Sequence, residues 1–232
     1  MSPVPVPDLP PSLSLSLSLS LTLTLSLSFT LRAALRRPGF VRTLPRMNVL
    51  DAIRERRSVK RLTDEPVGRE QVVCLLDAAV LAPNHRLTQP WRFLVLGPES
   101  RRAYGAVLGR RKGAKVEDAA VGEAIARKIE EEYAALPALV GVAMREDANL
   151  ADREEDYAAT FMAIENLCLA ALELGLGTHL KTGAVLQDPR VREALQLPPG
   201  ERLVAIVQVG HPAEQPAPKP RTGAAELTRW LP

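Results

Sequence analysis

The sequence predicts an α+β fold in which long helices pack against a single sheet. Short apolar runs typical of strands alternate with segments whose apolar residues recur at helical spacing. The last patterned segments are extended, and several of the helical segments are long. These observations favour a sheet covered by helices over an all-helical or all-strand domain.

Size and composition are those of a soluble globular protein. The 232 residues suffice for one substantial core or two small ones, with 46% apolar and 25% charged residues. Residues 1–46 hold five Arg and one Asp, so 25 of the 30 basic and 26 of the 27 acidic residues lie beyond them. The body of the protein is therefore near neutral and lacks the excess of Lys and Arg that nucleic-acid binding requires.

Residues 1–46 differ from the rest of the chain. Leu alternates with Ser or Thr over residues 12–28, and an Arg-rich, acid-poor piece follows. This composition is typical of an organelle transit peptide, whereas a secretory signal needs a continuous apolar stretch. A third explanation, that the working protein begins at Met47, is favoured because regular patterning starts there. We expect a low-complexity extension over 1–46, disordered or not translated, and a domain over 47–232.

The first half of the domain is predicted to contain four helices and a strand. Asn48 caps a short helix with three apolar residues on its inner face, Val49, Leu50 and Ile53. Apolar spacing predicts a helix over 69–81, which Pro83 cannot continue. Pro90 favours extended backbone, so residues 91–96 are predicted to form a strand. Helices follow over 100–108 and over 115–135, where Pro137 ends the second.

The second half alternates strands with the longest predicted helix. An apolar strand over 138–144 leads through an acidic turn at 147–156 to an Ala-rich helix over 157–174, apolar on most faces. Gly175 stops that helix, and a strand follows over 176–180. Asp188 is an N-cap with Pro189 at the first helical position, and 203–209 is a buried strand. Residues 215–221 form a Pro-rich extended tail.

Several classes of site and location are not supported. Cys74 and Cys168 fall in apolar helical patterns, which indicates core thiols in a reducing compartment and hence a cytoplasmic protein. The three histidines are isolated from one another, so no metal-ligand spacing is present. No run of 18 apolar residues occurs, so no membrane span is expected. The two glycines Gly175 and Gly177 lack the third glycine of a dinucleotide-binding fingerprint.

A polar loop over residues 84–89 lies between the helix that precedes Pro83 and the strand that follows Pro90. It carries His85, one of only three histidines in the chain. Binding groups are common on loops held between rigid elements, although an ordinary helix-to-strand connection explains the pattern equally well.

Three further segments carry cations or hydroxyls that suit phosphate: Arg56-Arg57-Ser58, Lys181-Thr182-Gly183 and Lys219-Pro220-Arg221. Arg offers planar bidentate donors, and a glycine lets a ligand approach backbone N–H groups. Taken singly, the first is more commonly an exposed basic turn. The plain explanation of the second is a strand-to-helix turn, and that of the third is charge that aids solubility. With no nucleophile or paired-carboxylate constellation, the set indicates an enzyme whose cofactor carries the chemistry, and no catalytic residue is assigned.

Taken together, Arg-Arg-Ser-Val-Lys-Arg, Ala-Pro-Asn-His with Gln-Pro-Trp-Arg-Phe, and Gly-Leu-Gly-Thr-His-Leu-Lys-Thr-Gly resemble the FMN-dependent nitroreductase family. The resemblance is to its small single-domain members and covers about residues 47–221. It implies a three-layer α+β sandwich with a central, mostly antiparallel sheet flanked by helices. It also implies a homodimer with FMN sites shared between the two chains.

The resemblance also implies which residues bind FMN. Arg56 and Ser58 would hold the phosphate and ribityl end, Arg57 would contribute main chain, and Arg221 would add a C-terminal phosphate contact. Two further residues, Leu81 and His85, would lie along the flavin from the partner subunit. Three others would complete the pocket near the ring or the phosphate: Leu180, Lys181 and Thr182. Leu81 departs from the pattern, because the small members carry a basic residue at that position.

The implied activity is two-electron reduction of nitroaromatic, quinone or similar small-molecule acceptors by NADH or NADPH, in a ping-pong mechanism. Two alternatives remain open. One is a non-catalytic protein that binds flavin or another small ligand in the same pocket. The other is a specialised flavoenzyme of the same fold, such as a dehalogenase or a flavin-fragmenting enzyme.

Overall fold

The computed structural model describes residues Met47–Pro232, so the prediction for residues 1–46 lies outside the described residues. The described chain forms seven α-helices, four strands and two short 3-10 helices. In order these are α1 (Val49–Glu55), α2 (Arg69–Ala79), a 3-10 helix at His85–Leu87, β1 (Trp91–Val95), α3 (Pro98–Gly113), α4 (Ala119–Ala134), β2 (Ala138–Arg145), α5 (Leu150–Glu173), β3 (Gly177–Lys181), a 3-10 helix at Ala184–Gln187, α6 (Pro189–Ala194), β4 (Glu201–Gly210) and α7 (Ala224–Leu227).

The four strands form one antiparallel sheet in the order β1-β2-β4-β3. Val140 of β2 pairs with Val207 of β4, and Thr178 of β3 pairs with Val209 on the other side of β4. A register shift between Val142 and Ala143 interrupts the regular pairing of β2 with β4. The predicted α+β architecture with an antiparallel sheet is confirmed.

Helices cover both faces of the sheet and create two cores. On one face α2 and α5 pack against the sheet, with Leu75 and Leu167 fully buried. On the other face α3, α4 and α6 enclose Tyr104 and Ile206. Successive side chains of a regular strand point to opposite faces, and β4 supplies residues to both cores, with Ile206 in one and Val207 in the other. Burial on both faces explains why β2 and β4 are continuous apolar runs rather than alternating ones.

The helices α3 and α4 pack unusually close to each other. A Cβ atom added at Gly109 would lie 2.4 Å from the backbone oxygen of Ala126, and one at Gly113 would lie 2.3 Å from that of Gly122. No real Cβ atom tolerates such a distance from backbone. The contact between the two helices therefore requires glycine at these positions.

Three predictions about the helices need correction. The helix predicted over 100–108 extends to Gly113, because its glycines face α4 instead of ending the helix. The predicted acidic turn is mostly the first two turns of α5, where the Asn149 side chain accepts a hydrogen bond from the Ala151 N–H. The predicted inner face of α1 (Val49, Leu50, Ile53) is exposed to solvent, since α1 meets the described chain mainly through α5.

The predicted helix caps are confirmed by the structure. Asn48 and Asp188 cap α1 and α6 with their side chains, and Pro189 occupies the first turn of α6. Cys168 is buried and Cys74 is half-buried, and both are free thiols. Within residues 47–232, no helix combines the length and the apolar character that crossing a membrane demands.

Candidate functional site

The segment that follows α1 runs beside β3, which is an edge strand of the sheet. Ser58 forms a parallel bridge with Thr178, and the Val59 N–H donates to the Thr178 carbonyl at 2.8 Å. Val59 is buried so tightly that a Cβ atom at Gly177 would lie 2.8 Å from its side chain. The glycine at the start of β3 therefore allows the segment containing Arg56 and Ser58 to lie against the sheet.

The chain returns to this segment after β4. The Thr63 N–H donates to the His211 carbonyl at 2.9 Å, and the Ala213 N–H donates to the Arg61 carbonyl at 3.0 Å. An exposed ion pair between Arg61 and Glu214, at 3.3 Å, lies next to these backbone bonds. This pairing directs the Pro-rich tail along the same side of the molecule as residues 56–60.

A groove of about 610 Å³ lies between the two segments. Six cationic residues line it, against one acidic residue, Glu214. The cations are Arg54, Arg56, Arg57, Lys60, Lys219 and Arg221. Such a set of donors fits a phosphate group, because guanidinium forks and a hydroxyl give charge-assisted hydrogen bonds to phosphate oxygens.

Two of the predicted arginines in the groove have defined orientations. Arg56 Nε lies 3.1 Å from Glu165 Oε1 of α5, which holds its guanidinium in place. The Arg57 side chain instead folds back and donates to the carbonyls of Arg54 and Arg56. The Arg57 guanidinium is therefore occupied by backbone carbonyls, and a backbone contact of Arg57 with a ligand stays a prediction.

The structure brings four predicted residues together in the groove: Arg56, Arg57, Ser58 and Arg221. Lys60 and Arg54 also line it, although the sequence reasoning did not single them out. A signal for Lys60 was available, since residues two apart on an extended segment point to the same side. Lys60 therefore belongs beside Ser58.

The other predicted segment lies at the far end of β3. Leu180 packs against the core beneath α5, while the Lys181 ammonium donates to the Tyr133 hydroxyl at 2.8 Å on the opposite face. Thr182 lines a second groove of about 510 Å³. The next residue, Gly183, has a φ of 114°, a value that L side chains rarely adopt. Thr182 and Gly183 thus form a turn whose backbone is open to a ligand.

Cations line the edge of β3 between the two ends of the site. Burial lowers the pKa of Lys181, and the nearby ammonium groups of Lys112 and Lys60 lower it further. Burial also lowers the pKa of His179, as do Lys181 and Lys60. A concentration of positive charge at half-buried positions favours an anionic ligand along this edge.

The loop at 84–89 is fastened to α5 and is strained. His85 Nδ1 lies 2.8 Å from Glu155, Arg86 pairs with Asp152, and Thr88 donates to the buried carboxylate of Asp156. The φ angles of three non-glycine residues are positive, at 60° for Arg86, 52° for Leu87 and 45° for Gln89. Strained backbone held by several side-chain contacts is common at functional sites.

Leu81 and His85 do not join the groove in the same chain. Leu81 is 79% exposed, and neither residue lines the groove around Arg56. The partners of His85 and Arg56 on α5, Glu155 and Glu165, are ten residues apart. That separation corresponds to about 15 Å along the helix and about 80° around it.

Among residues 47–232, no group of three or more His, Cys, Asp and Glu residues is arranged to hold a metal ion. The cation-lined edge that runs from Arg56 to Thr182 is the feature of the described chain that suits an anionic ligand.

Comparisons with known proteins relate this arrangement to one family. A sequence profile described as the Nitroreductase family matches residues 53–211. YfhC of Bacillus subtilis, provisionally named an NAD(P)H nitroreductase, is 36% identical over 177 residues, which cover 74% of this chain and 88% of that protein.

Solved structures agree with the sequence comparison. A nitroreductase-like family protein from Bacillus cereus is 30% identical, with a TM-score of 0.71 and coverage of 82% of this chain and 98% of its own. A protein from Desulfovibrio desulfuricans that is provisionally named a nitroreductase was solved in complex with FMN and is 29% identical. Its TM-score is 0.63, and the match covers 80% of this chain and 98% of that protein. Since the family profile spans more than half of the sequence, the chain belongs to the nitroreductase family.

Proposed function

We propose that this protein is an FMN-dependent oxidoreductase that uses NADH or NADPH to reduce nitroaromatic, quinone or similar acceptors. The observation that carries the proposal is the groove in which Arg56, Ser58 and Arg221 meet beside the edge of β3. The FMN complex of a relative with the same fold adds support. Residues that fit a phosphate monoester thus lie at one end of the β3 edge. The turn at Thr182 and Gly183 lies at its other end.

The residues of this chain have separate tasks in the proposed site. Arg56, Ser58 and Arg221 bind the phosphate, while Lys219 adds charge at the rim of the groove. Bound FMN supplies the redox chemistry, accepting a hydride from NAD(P)H and passing two electrons to the acceptor in a ping-pong sequence. The cations beside β3 favour negative charge on the ligand, because partly buried charges are screened less than exposed ones.

We propose further that the working protein is a homodimer. Apolar side chains exposed on α1 and α5 support this proposal: Val49, Leu50, Ile53 and Met162. A second copy would cover them, and the hydrophobic effect favours such burial. In this arrangement Leu81 and His85 of each chain approach the flavin bound by the other chain. The free thiols Cys74 and Cys168 support a reducing compartment, the cytoplasm.

The experiment that tests the function begins with the visible spectrum of the purified protein. A flavin spectrum, with FMN rather than FAD released on denaturation, is expected. Turnover of NADH or NADPH with a quinone and with a nitroaromatic acceptor is then measured. Bound flavin without turnover would indicate a binding protein, and an unexpected product would indicate a specialised flavoenzyme. A protein that binds no flavin at all would contradict the proposal.

A further inference from the structure

The Lys181 side chain is held by an aromatic residue of another layer. Its ammonium donates to the Tyr133 hydroxyl at 2.8 Å and lies 5.0 Å from the centre of the Tyr133 ring. Tyr133 is only 4% exposed, near the end of α4. The hydrogen bond to this buried hydroxyl fixes a long flexible side chain that would otherwise sample many rotamers.

The pair belongs to a larger polar cluster between the sheet and α4. His179 lies on the same side of β3 as Lys181, and its Nδ1 is 3.2 Å from the Oε1 atom of Gln208. Gln208 is buried in β4. The cluster therefore places hydrogen-bonding groups of two strands and one helix around the Lys181 ammonium, in a region otherwise lined by apolar side chains.

The groups that face Lys181 come from every neighbouring element. Lys112 of α3 and Lys60 of the segment beside β3 repel its charge, while Glu132 of α4 attracts it. Tyr133 stays neutral because burial raises the pKa of its hydroxyl. A neutral hydroxyl with open lone pairs is a suitable acceptor for the ammonium, and it adds no charge of its own.

We propose that Tyr133 is a positioning residue that holds the Lys181 ammonium at the Thr182 end of the flavin site, where its charge favours the reduced cofactor. This inference rests on the proposed function. Lys181 would touch the cofactor, and Tyr133 would act only through Lys181. Charge fixed in a partly buried site stabilises a developing anion more than a mobile charge in water does.

A double-mutant cycle in the full chain tests the inference. The variants are Tyr133→Phe, Lys181→Met and the double variant, with Tyr104→Phe as a matched control. Tyr104 is also buried, and its ring lies 5.3 Å from that of Tyr133, yet Lys181 donates to Tyr133. Two properties are measured: the melting temperature of the flavin-free protein, and the midpoint potential of the bound flavin.

Tyr133→Phe should lower the melting temperature more in the presence of Lys181 than in the Lys181→Met background. It should also shift the flavin potential to more negative values and slow flavin reduction by NADH about threefold to tenfold, the effect of one lost hydrogen bond. Neither change in the flavin should occur when Lys181 is already Met, and Tyr104→Phe should leave the potential unchanged.

An unchanged flavin potential in Tyr133→Phe would overturn the inference, and so would an equal shift in both backgrounds. These failures concern Tyr133 alone and leave the proposed function standing. A wild-type protein that binds no FMN would overturn both. In that case, the melting temperatures of the flavin-free variants still measure whether the Tyr133 and Lys181 side chains stabilise each other.

Discussion

Arg56 Nε lies 3.1 Å from Glu165 Oε1, so the longest helix within residues 47–232 holds the cation that we assign to the phosphate. Glu165 is about half exposed, with 52% of its side chain accessible, and an ion pair of this kind adds little to stability. The effect of this ion pair is on the orientation of Arg56. The guanidinium is fixed before a ligand arrives, which lowers the entropy lost on binding.

The first prediction concerns this arginine. Arg56→Ala should weaken FMN binding by about tenfold or more, because a charge-assisted hydrogen bond contributes about 1.5–3 kcal/mol. Arg221→Ala should have a smaller effect, since Arg221 lies exposed at the rim of the groove. Titration of the flavin-free variants with FMN measures both. Arg102→Ala is the control, because Arg102 pairs with Glu130 away from the groove. Unchanged affinity in Arg56→Ala would remove Arg56 from the site.

The second prediction concerns the contact between α3 and α4. Gly109→Ala should destabilise the protein by about 1–3 kcal/mol, since the new methyl group would press on the backbone oxygen of Ala126. Alanine normally favours a helix over glycine by up to about 1 kcal/mol, so a loss of stability would identify the contact as the cause. Gly97→Ala is the control, because a Cβ atom at Gly97 meets nothing within 4 Å. Equal melting temperatures for the two variants would contradict the proposed packing.

The sequence predicted most elements because local signals marked their ends. Pro83 and Pro90 delimit the loop before β1, and the Asp188-Pro189 pair marks the start of α6. The errors arose where tertiary contacts override local preference. Gly109 lies inside α3, because close packing against α4 compensates for the low helix propensity of glycine. The apolar residues of α1 were predicted to face the core of their own chain, yet they are exposed.

The sequence indicated which types of residue form the candidate site, but it did not indicate how they are arranged in space. Arg221 was the least secure prediction, and backbone bonds of His211 and Ala213 to residues 61–63 direct its segment to the groove. No local pattern could reveal that Lys181 contacts Tyr133, because 48 residues separate them. The prediction that Lys181 and Thr182 lie near the flavin stays a prediction.

The third prediction concerns the extension before Met47. A protein that begins at Met47 should keep the FMN affinity, melting temperature and turnover of the full chain. The family match starts at residue 53, and residues 47–232 supply two cores and a complete four-stranded sheet. Parallel measurements on both proteins provide the test. Loss of any of the three properties would show that residues 1–46 take part in the folded enzyme.

The fourth prediction concerns pH. The pKa of His179 is lowered, first by burial and then by Lys181, so the unfolded chain binds a proton at this residue more readily than the folded chain does. Its contribution to stability is therefore complete above the unfolded pKa of about 6.5 and is lost as the pH falls below it. Melting temperatures of the flavin-free protein from pH 7.5 to 5.5 should fall less steeply in His179→Gln. An identical slope in wild type and variant would refute this assignment.

The fifth prediction separates a shared flavin site from one held within a single chain. Arg56→Ala and His85→Ala should each weaken FMN binding in the separate homodimers, if His85 acts from the partner subunit. In a mixed dimer, one pocket then carries both substitutions, whereas the other pocket has both native side chains. Mixing the two variants under conditions that exchange subunits should therefore restore up to half of the FMN sites in each heterodimer, with matching turnover.

The geometry of α5 is the reason to expect this recovery. Glu155 and Glu165 hold His85 and Arg56 on different faces of the helix, about 15 Å apart, and the 84–89 loop is fixed by its contacts with α5. His85 does not line the groove around Arg56 in the same chain, so we assign the His85 contact to the flavin that is bound by the other chain. If both belonged to a single-chain pocket, every pocket in the mixture would keep one defect and mixing would restore nothing. Size-exclusion chromatography of the mixture supplies the control, because a monomer that retained FMN would rule out a shared site.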